Sequence, residues 1–262
     1  MKIRIRKQIP AKLTTRILVV VFTLFLFLGG YITFKRVGAS QDTIPQNINI
    51  TNITDRSFTI IWTTEKPTFG QVQYGTDTNQ NFLAFDIRDL LDQKQGKYTT
   101  LHFGQKYTVP FVQKYKVHFV QITNLKPQSS YMYQIISEQK KYKSTGAVTT
   151  EASLSTQQEK PQLTGIQILD FDSKKDEVAI ILSSQSNTER SSSLASLINS
   201  KNTLFNLANL RTTDLAKRFI LPSPQTTLLM TVISSDSVWS NIVSYEPSYF
   251  WLKPIFIHPN SL

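Results

Sequence analysis

The segment Arg56-Ser-Phe-Thr-Ile-Ile-Trp-Thr-Thr64 indicates the fold class of this 262-residue chain. Phe58, Ile60 and Trp62 recur at every second position, and side chains of a strand alternate between the two faces of a sheet. The segment therefore predicts a half-buried β-strand whose apolar face lies in a core. Similar short runs separated by turn-forming residues predict further antiparallel strands at 47–54, 70–74, 115–123, 131–137 and 147–150.

Several motifs around this strand resemble those of a fibronectin type III domain. They are Ser57-Phe-Thr-Ile-Ile-Trp-Thr-Thr, Gly70-Gln-Val-Gln-Tyr-Gly and His118-Phe-Val-Gln-Ile-Thr-Asn-Leu-Lys-Pro. The resemblance covers residues 45–150 and is closest to the domain that precedes the catalytic domain in purple acid phosphatases; bacterial envelope proteins carry similar copies. It implies a β-sandwich with four structural residues: a buried Trp62, and Leu125, Pro127 and Tyr131 of a tyrosine corner, whose hydroxyl bonds to the backbone upstream.

The stretch between Tyr74 and Tyr115 is longer than the family pattern. It contains Asp86-Ile-Arg-Asp89-Leu-Leu-Asp92, but it lacks the alternating ligands, the sharp glycine turn and the closing glutamate of a calcium-binding loop. We therefore expect a solvated loop with one helical turn. Arg88 should pair with a neighbouring acid at the surface and contribute little to stability.

Residues 151–162 are polar and predict an interdomain linker, and residues 163–257 predict a second small β-sandwich. A short helix is expected over 212–219, capped by Thr212 or Thr213. The segment 165–182 resembles the start of carboxypeptidase-regulatory, transthyretin-like domains, although its polar turn 173–177 lacks the family's glycines and prolines; another Ig-like sandwich is the alternative. The candidate strands are 163–169, 178–183, 194–198, 203–207, 227–234, 237–245 and 250–257, followed by a tail, 258–262.

The N-terminus contains eight of the 29 basic residues and no acidic residue within positions 1–36. Residues 17–34 are uncharged and would span about 27 Å as a helix, which is long enough to cross a bilayer. With six basic residues before this run and two after it, the sequence predicts a cytoplasmic segment 1–16, a transmembrane helix 17–34 and a spacer 35–44. Residues 37–262 would then be extracellular or periplasmic. The alternative is a signal peptide cleaved near Ala39, with secretion of the remainder.

The remaining residues give no indication of catalysis. The chain has no cysteine, and its three histidines, His102, His118 and His258, are far apart in sequence. No phosphate-binding loop, nucleophile elbow or zinc-protease motif occurs. Beyond residue 36 the net charge is only about +3, too little for a nucleic-acid partner. We therefore expect no enzyme activity, no catalytic residue, no cofactor, no metal and no nucleic acid.

Aromatic residues are densest in the segment 245–257. A strand over 250–257 would place Phe250, Leu252 and Phe256 on one face and Trp251, Ile255 and Ile257 on the other, and Pro254 predicts that it lies at a sheet edge. Either the rest of the protein covers the second face, or Trp251 and Tyr249 form an exposed anchor for a protein or glycan partner.

These observations together predict a membrane-anchored, non-enzymatic extracellular protein of the bacterial cell envelope. Its two sandwiches would present a surface to a protein or glycan partner or act as a spacer. The alternative is an accessory subunit that positions a separate envelope enzyme or secretion complex. The sequons at Asn49 and Asn52 would matter only where glycosylation machinery exists.

Overall fold

The computed structural model of the protein describes Thr23 and residues 41–77, 80–94, 98–102, 106–110, 113–153, 160–185, 189–215, 217–221, 226–246 and 249–257. The predicted cytoplasmic segment 1–16 and the tail 258–262 lie outside these residues, as does the predicted transmembrane segment 17–34 apart from Thr23. Among the residues described, no helix has both the length and the apolar character needed to cross a membrane.

The first half of the described chain is built from antiparallel strands, as the two-residue periodicity predicts. One sheet has the order β1-β2-β7, a second has the order β4-β3-β8-β9, and β5 pairs with β6 in a separate hairpin. The elements are β1 (Gln46–Thr51), β2 (Phe58–Thr68), β3 (Gly70–Gly75), β4 (Phe82–Phe85), α1 (Ile87–Lys94), β5 (Tyr98–His102), β6 (Lys106–Pro110), β7 (Tyr115–Ile122), β8 (Ser130–Ser137) and β9 (Lys140–Thr149).

The β1-β2-β7 and β4-β3-β8-β9 sheets enclose one apolar core, and we call this part the first sandwich. Phe58, Ile60 and Trp62 of β2 are buried there, as their alternation predicts. The opposite sheet contributes Val72 and Ile135. The interleaved side chains of the two sheets remove this apolar surface from water, which is the main favourable term in folding.

The prediction of a solvated loop between Tyr74 and Tyr115 is wrong. The segment contains β4, α1, β5 and β6, and its Asp86 is completely buried. The Phe119 backbone N–H donates to the Asp86 carboxylate across 2.8 Å, so the acid is anchored to β7. Spacing alone did not reveal this burial, because the partner lies 33 residues away in the chain.

The second half is also made of antiparallel strands around its own core, and we call it the second sandwich. A four-stranded sheet has the order β12-β11-β14-β15, and β10 pairs with β13. Ile166 and Phe205 of the smaller sheet meet Ile180 and Val232 of the larger one. The strands are β10 (Leu163–Gln167), β11 (Val178–Gln185), β12 (Arg190–Leu197), β13 (Asn202–Asn206), β14 (Thr226–Ser234) and β15 (Val238–Tyr245). The predicted all-β fold is confirmed for the described residues.

The prediction of a short helix over 212–219 is wrong. The segment turns back on itself, with a bridge between Arg211 and Arg218 and a backbone hydrogen bond of 2.9 Å from Thr212 N to Lys217 O. Leu215 has φ of 60°, a left-handed value that a right-handed helix does not accommodate. The buried Phe219 ring also ties the end of this turn to the core.

The segment 250–257 lies beside β10, but it does not form the continuous strand that was predicted. Two parallel bridges, Gly165 to Trp251 and Ile168 to Ile255, hold it at the sheet edge. The predicted faces are wrong, because Leu252 is buried together with Ile255 and Ile257, whereas Trp251 points outward. The simple alternation fails between the bridges, where Pro254 has no N–H for a regular ladder.

The outer face of β2 is buried as well as the inner one, so the expectation of a half-buried strand is wrong. A third apolar cluster covers this face, and it joins the two sandwiches within the compact unit Asp42–Leu262. Its buried members are Ile61, Val117 and Phe119 from the first sandwich and Ala179, Ile181 and Ile233 from the second. We call this contact the interdomain interface.

Candidate functional site

Asn52 connects the backbones of the two sandwiches at one side of the interdomain interface. Its N–H donates to the Ser193 carbonyl across 2.9 Å, and its side-chain amide donates to the Ala195 carbonyl across 2.9 Å. The Asn52 Oδ1 accepts from the Ala195 N–H at 2.8 Å. Asn52 has φ of 51°, a conformation that asparagine tolerates better than most residues. A glycan on Asn52 Nδ2 would replace one of the two amide hydrogens, which donate to the Ala195 carbonyl and, at 3.4 Å, to Thr59 Oγ1.

A buried ion pair lies at another part of the same interface. Arg88 Nε and Nη2 donate to the two carboxylate oxygens of Asp86, each across 2.8 Å, and the guanidinium lies over the Tyr115 ring. This pair is not the weak surface contact that was predicted, because Asp86 is inaccessible to solvent. Removing one partner of such a pair would leave an uncompensated buried charge.

Glu177 of the second sandwich completes this network. One of its carboxylate oxygens accepts from the backbone N–H groups of Lys116 and Val117, at 2.8 and 2.9 Å. The same oxygen lies 3.7 Å from Arg88 Nη1. Hydrogen bonds to a charged acceptor are stronger than neutral ones, so Glu177 fixes β7 against the second sandwich.

Glu151 and Arg211 form a third connection, at the start of the predicted linker. Arg211 Nε donates to Glu151 Oε2 across 3.2 Å, and both side chains are largely buried. Burial raises the pKa of Glu151, while the neighbouring Arg211 opposes that shift. The chain therefore leaves the first sandwich through an anchored residue.

Asp89 on α1 occupies an unusual electrostatic environment. Its Oδ1 accepts from Gln113 N at 3.1 Å and from the Tyr115 hydroxyl at 3.0 Å, whereas its Oδ2 has no hydrogen-bond partner among the described residues. Burial, reinforced by the charge of Asp86, raises the pKa of Asp89 to about 7. A raised pKa in a cleft can indicate catalysis, but structural networks cause the same effect. This carboxyl belongs to the network at the interface.

His118 is packed between the sheets and has a structural environment. Its Nε2 lies 3.0 Å from Thr68 Oγ1, and its ring stacks on Trp62. Burial lowers the pKa of His118 to about 3, so the ring is neutral at ordinary pH. A Cβ at Gly70 would come within 2.1 Å of His118 Nδ1, so only glycine fits there without displacement.

The three residues predicted from the tyrosine-corner motif lie at one turn of the first sandwich. The Lys126 backbone N–H donates to the Tyr131 hydroxyl across 2.9 Å, and Tyr131 and Leu125 are buried. Pro127 is partly buried, and its carbonyl accepts from Ser129 Oγ at 3.0 Å. The Tyr131 hydroxyl therefore holds this turn in place, and these contacts indicate a structural role for the three residues.

Tyr249 and Trp251, the candidate partner-binding residues, are 66% and 48% exposed. The backbone around them is nevertheless fixed, because Gly165 N donates to Phe250 O and Leu252 N donates to Gly165 O, each across 2.8 Å. Asp170 Oδ1 accepts from Ile257 N at 2.7 Å and anchors the end of the segment. The structure thus holds an exposed aromatic group on a rigid sheet edge.

Sequence reasoning missed Asn52, Glu177 and Gly165 as residues of structural importance. Nothing in the local sequence distinguishes Asn52 or Glu177, because their partners lie in the other sandwich. The described residues also contain no cluster of three or more His, Cys, Asp or Glu side chains that could hold a metal ion.

Comparison with known proteins finds a family that resembles the first sandwich. No curated protein matches the chain. A structure of chicken CNTN1 FN1-FN3 domains matches with 11% identity and a TM-score of 0.26, covering 77% of this chain and 65% of that chain. Residues 45–151 match the family described as "Purple acid Phosphatase, N-terminal domain". The first sandwich is therefore similar to the domains of this family, which have a fibronectin type III-like fold.

Proposed function

We propose that this chain is a membrane-anchored, non-enzymatic protein of the bacterial cell envelope. Its two sandwiches act as one rigid body that holds a binding surface at a fixed place outside the membrane. The supporting observation is the interdomain interface, since a joint closed by apolar packing restricts rotation between the sandwiches. The uncharged run 17–34 and the basic residues before it support the anchor.

The interdomain contacts favour a rigid spacer over a flexible one. Domains joined only by a polar linker move independently unless their interface is large and apolar. Here six buried apolar side chains meet, and Asn52 and Glu177 add hydrogen bonds across the contact. The orientation of the exposed surface around Trp251 relative to the first sandwich is therefore constrained.

We further propose that the second sandwich is of the carboxypeptidase-regulatory, transthyretin-like type. As in that family, β10 is followed by a polar turn and β11. The turn in this chain has no glycine or proline. It is closed by Asp172, whose carbonyl accepts from Lys175 N and Asp176 N at 3.0 and 2.8 Å. Asp172 Oδ1 also accepts from Lys174 N at 3.0 Å. An aspartate turn of this kind can replace the family's glycines.

The topology is tested with protease added to intact cells or spheroplasts that express the chain with a C-terminal tag. Both sandwiches should be digested without permeabilisation, while a cytoplasmic control protein stays intact. Protection of the sandwiches until the membrane is opened would contradict the proposed orientation. Sequencing of the mature N-terminus distinguishes a retained anchor from cleavage, because cleavage would yield a chain that starts near Ser40.

An accessory role beside a separate envelope enzyme or secretion complex is a second candidate function. The match of residues 45–151 favours it, because that family is named for a domain of an enzyme. Crosslinking in native membranes, followed by purification through the tag, tests this role. A stoichiometric enzyme partner would support it, and its absence would leave the anchored binding surface as the better proposal.

A further inference from the structure

We propose that the outer face of β10, β13 and the segment 250–255 binds a neutral glycan, with a pyranose ring stacked on Trp251. This inference specifies the partner of the surface proposed above, and it rests on that surface lying outside the membrane. It depends on three features: an immobilised aromatic ring, an uncharged sheet face beside it, and an edge that disfavours strand pairing.

The Trp251 ring lies on the backbone of Gly165. A Cβ built at Gly165 would be 2.4, 2.5 and 3.1 Å from Trp251 Cε3, Cζ3 and Cδ2. Three adjacent ring carbons at such similar distances indicate that the ring faces the strand, since an edge-on ring would hold Cδ2 much farther away. Phe250 packs perpendicular to the indole, with centroids 5.1 Å apart. The ring is therefore held in place before any ligand arrives, which reduces the entropy lost on binding.

The sheet face beside Trp251 is apolar at its centre and carries amide groups along one side. Leu204, 54% exposed, lies opposite Gly165 in the β10–β13 register, and Leu163 extends the apolar area. The next outward pair is Gln167 and Asn202, about 7 Å along the strands. None of the six outward positions of β10 and β13 is charged.

This chemistry matches a pyranose ring. The negative face of an indole attracts weakly positive C–H groups, which a pyranose presents on its apolar side. The side-chain amides of Gln167 and Asn202 each offer two N–H donors and a carbonyl acceptor, which suit the sugar hydroxyls at the rim. The absence of charge at the outward positions of β10 and β13 favours a neutral glycan over an acidic one, with Lys253 as the charged side chain of the neighbouring segment 250–255.

The edge of this sheet disfavours a second copy or a peptide strand as the occupant. Adding a strand requires free N–H and C=O groups along the edge, and Pro254 has no N–H to offer. Lys253 and Pro254 are both exposed there, a combination that natural proteins use to prevent edge pairing. A flat ligand stacked on the face avoids this obstacle.

The test measures binding of cellohexaose and chitohexaose to the full chain by titration calorimetry. The protein is kept in a detergent without a sugar headgroup, so that the detergent does not compete. We expect binding of at least one oligosaccharide, with little dependence on salt because the outward positions of β10 and β13 are uncharged and a neutral sugar carries no charge. W251A should weaken the association constant by about tenfold or more, and Q167A, which leaves the ring in place, should weaken it a few-fold.

The matched control is Phe82→Ala, which removes an exposed ring of the first sandwich and should leave glycan binding unchanged. Melting curves of each variant report whether the fold survives. If W251A fails to fold, the response of Q167A and protection of Trp251 fluorescence from acrylamide by the glycan provide the same test.

Equal binding by wild-type protein and W251A, or no binding of either oligosaccharide at millimolar concentration, would overturn the inference. A Trp251-dependent dimer in sedimentation experiments, or a Trp251-dependent protein partner without glycan binding, would also overturn it. The last result would still agree with the proposed function. The protease test of topology does not depend on the glycan, so the two proposals can fail separately.

Discussion

The imidazole of His118 stacks on the indole of Trp62, with ring centroids 4.6 Å apart and planes within 11° of parallel. The pair joins neighbouring positions of β2 and β7, which face each other in the register of the sheet. Both rings are fully buried, and in the part of the chain that the structure describes neither His118 Nδ1 nor Trp62 Nε1 has a hydrogen-bond partner. The packing of the pair must therefore compensate for two unsatisfied polar atoms, which makes the site sensitive to any loss of volume.

Trp62→Ala should reduce the free energy of unfolding by about 3–5 kcal/mol, because it leaves a large cavity beside His118 and Gly70. Chemical denaturation of the full chain measures this loss. The half-exposed Trp251 provides the control, and its replacement by alanine should cost less than about 2 kcal/mol. An unchanged stability of Trp62→Ala would contradict the position of β2 in the core.

Tyr131→Phe should cost about 0.5–1.5 kcal/mol, because it removes the acceptor of the Lys126 N–H while keeping the ring. Tyr133→Phe is the matched control: Tyr133 is equally buried in the same strand, and no hydrogen bond of its hydroxyl is seen among the described residues. Thermal denaturation compares the two. Equal effects of the two substitutions would show that the corner bond contributes nothing.

Asn52→Gly should destabilise the protein by about 1–3 kcal/mol, because it leaves the Ala195 N–H and C=O at the interface without their partners. Glycine is chosen because it adopts the positive φ of this position without strain. Asn49→Gly removes an asparagine whose amide bonds locally to the Asn47 carbonyl. Denaturation should show a clearly smaller loss for that control, and equal losses would argue against an interface role of Asn52.

Asp89 should make the protein less stable as the pH rises from about 4 to about 7. Its pKa is about 7 in the folded chain, against 3.8 for an ordinary aspartate, so the folded state binds the extra proton over this interval. His118 acts in the opposite direction: its pKa is lowered from 6.5 to about 3, so its contribution to stability is lost as the pH falls through that interval.

Asp89→Asn should therefore raise the stability near pH 7 relative to pH 4, compared with the wild-type protein. Urea denaturation across this pH range measures the difference, and Asp236→Asn, at a side chain that is 70% exposed, is the control. A pH profile of Asp89→Asn that parallels the wild-type profile would show that the buried carboxyl is not the group that titrates.

Local periodicity was enough to predict most of the strands and the inner face of β2, but not β4, β5 and β6. The alternation of Phe58, Ile60 and Trp62 places three side chains on one face, because the pleat of a strand has a period of two. The motifs around Trp62 and the turn that contains Pro127 and Tyr131 likewise predicted the resemblance to the family that residues 45–151 match. Both signals are local, so a single sequence contains them in full.

What covers the other face of a strand is decided by residues far away in the chain. The predicted half-buried strand would place Thr59 and Thr63 on a face exposed to solvent, yet both are buried because the second sandwich packs against that side of the sheet. For the same reason the sequence predicted Asp86 to be an acid at the surface, although Arg88 and a backbone N–H of β7 donate hydrogen bonds to its carboxylate inside the protein. Likewise, an apolar side chain such as Trp251 shows no local sign of whether another element covers it. Periodicity specifies which side chains share a face, and only tertiary packing decides whether that face meets water, because burial depends on contacts between segments that are distant in sequence.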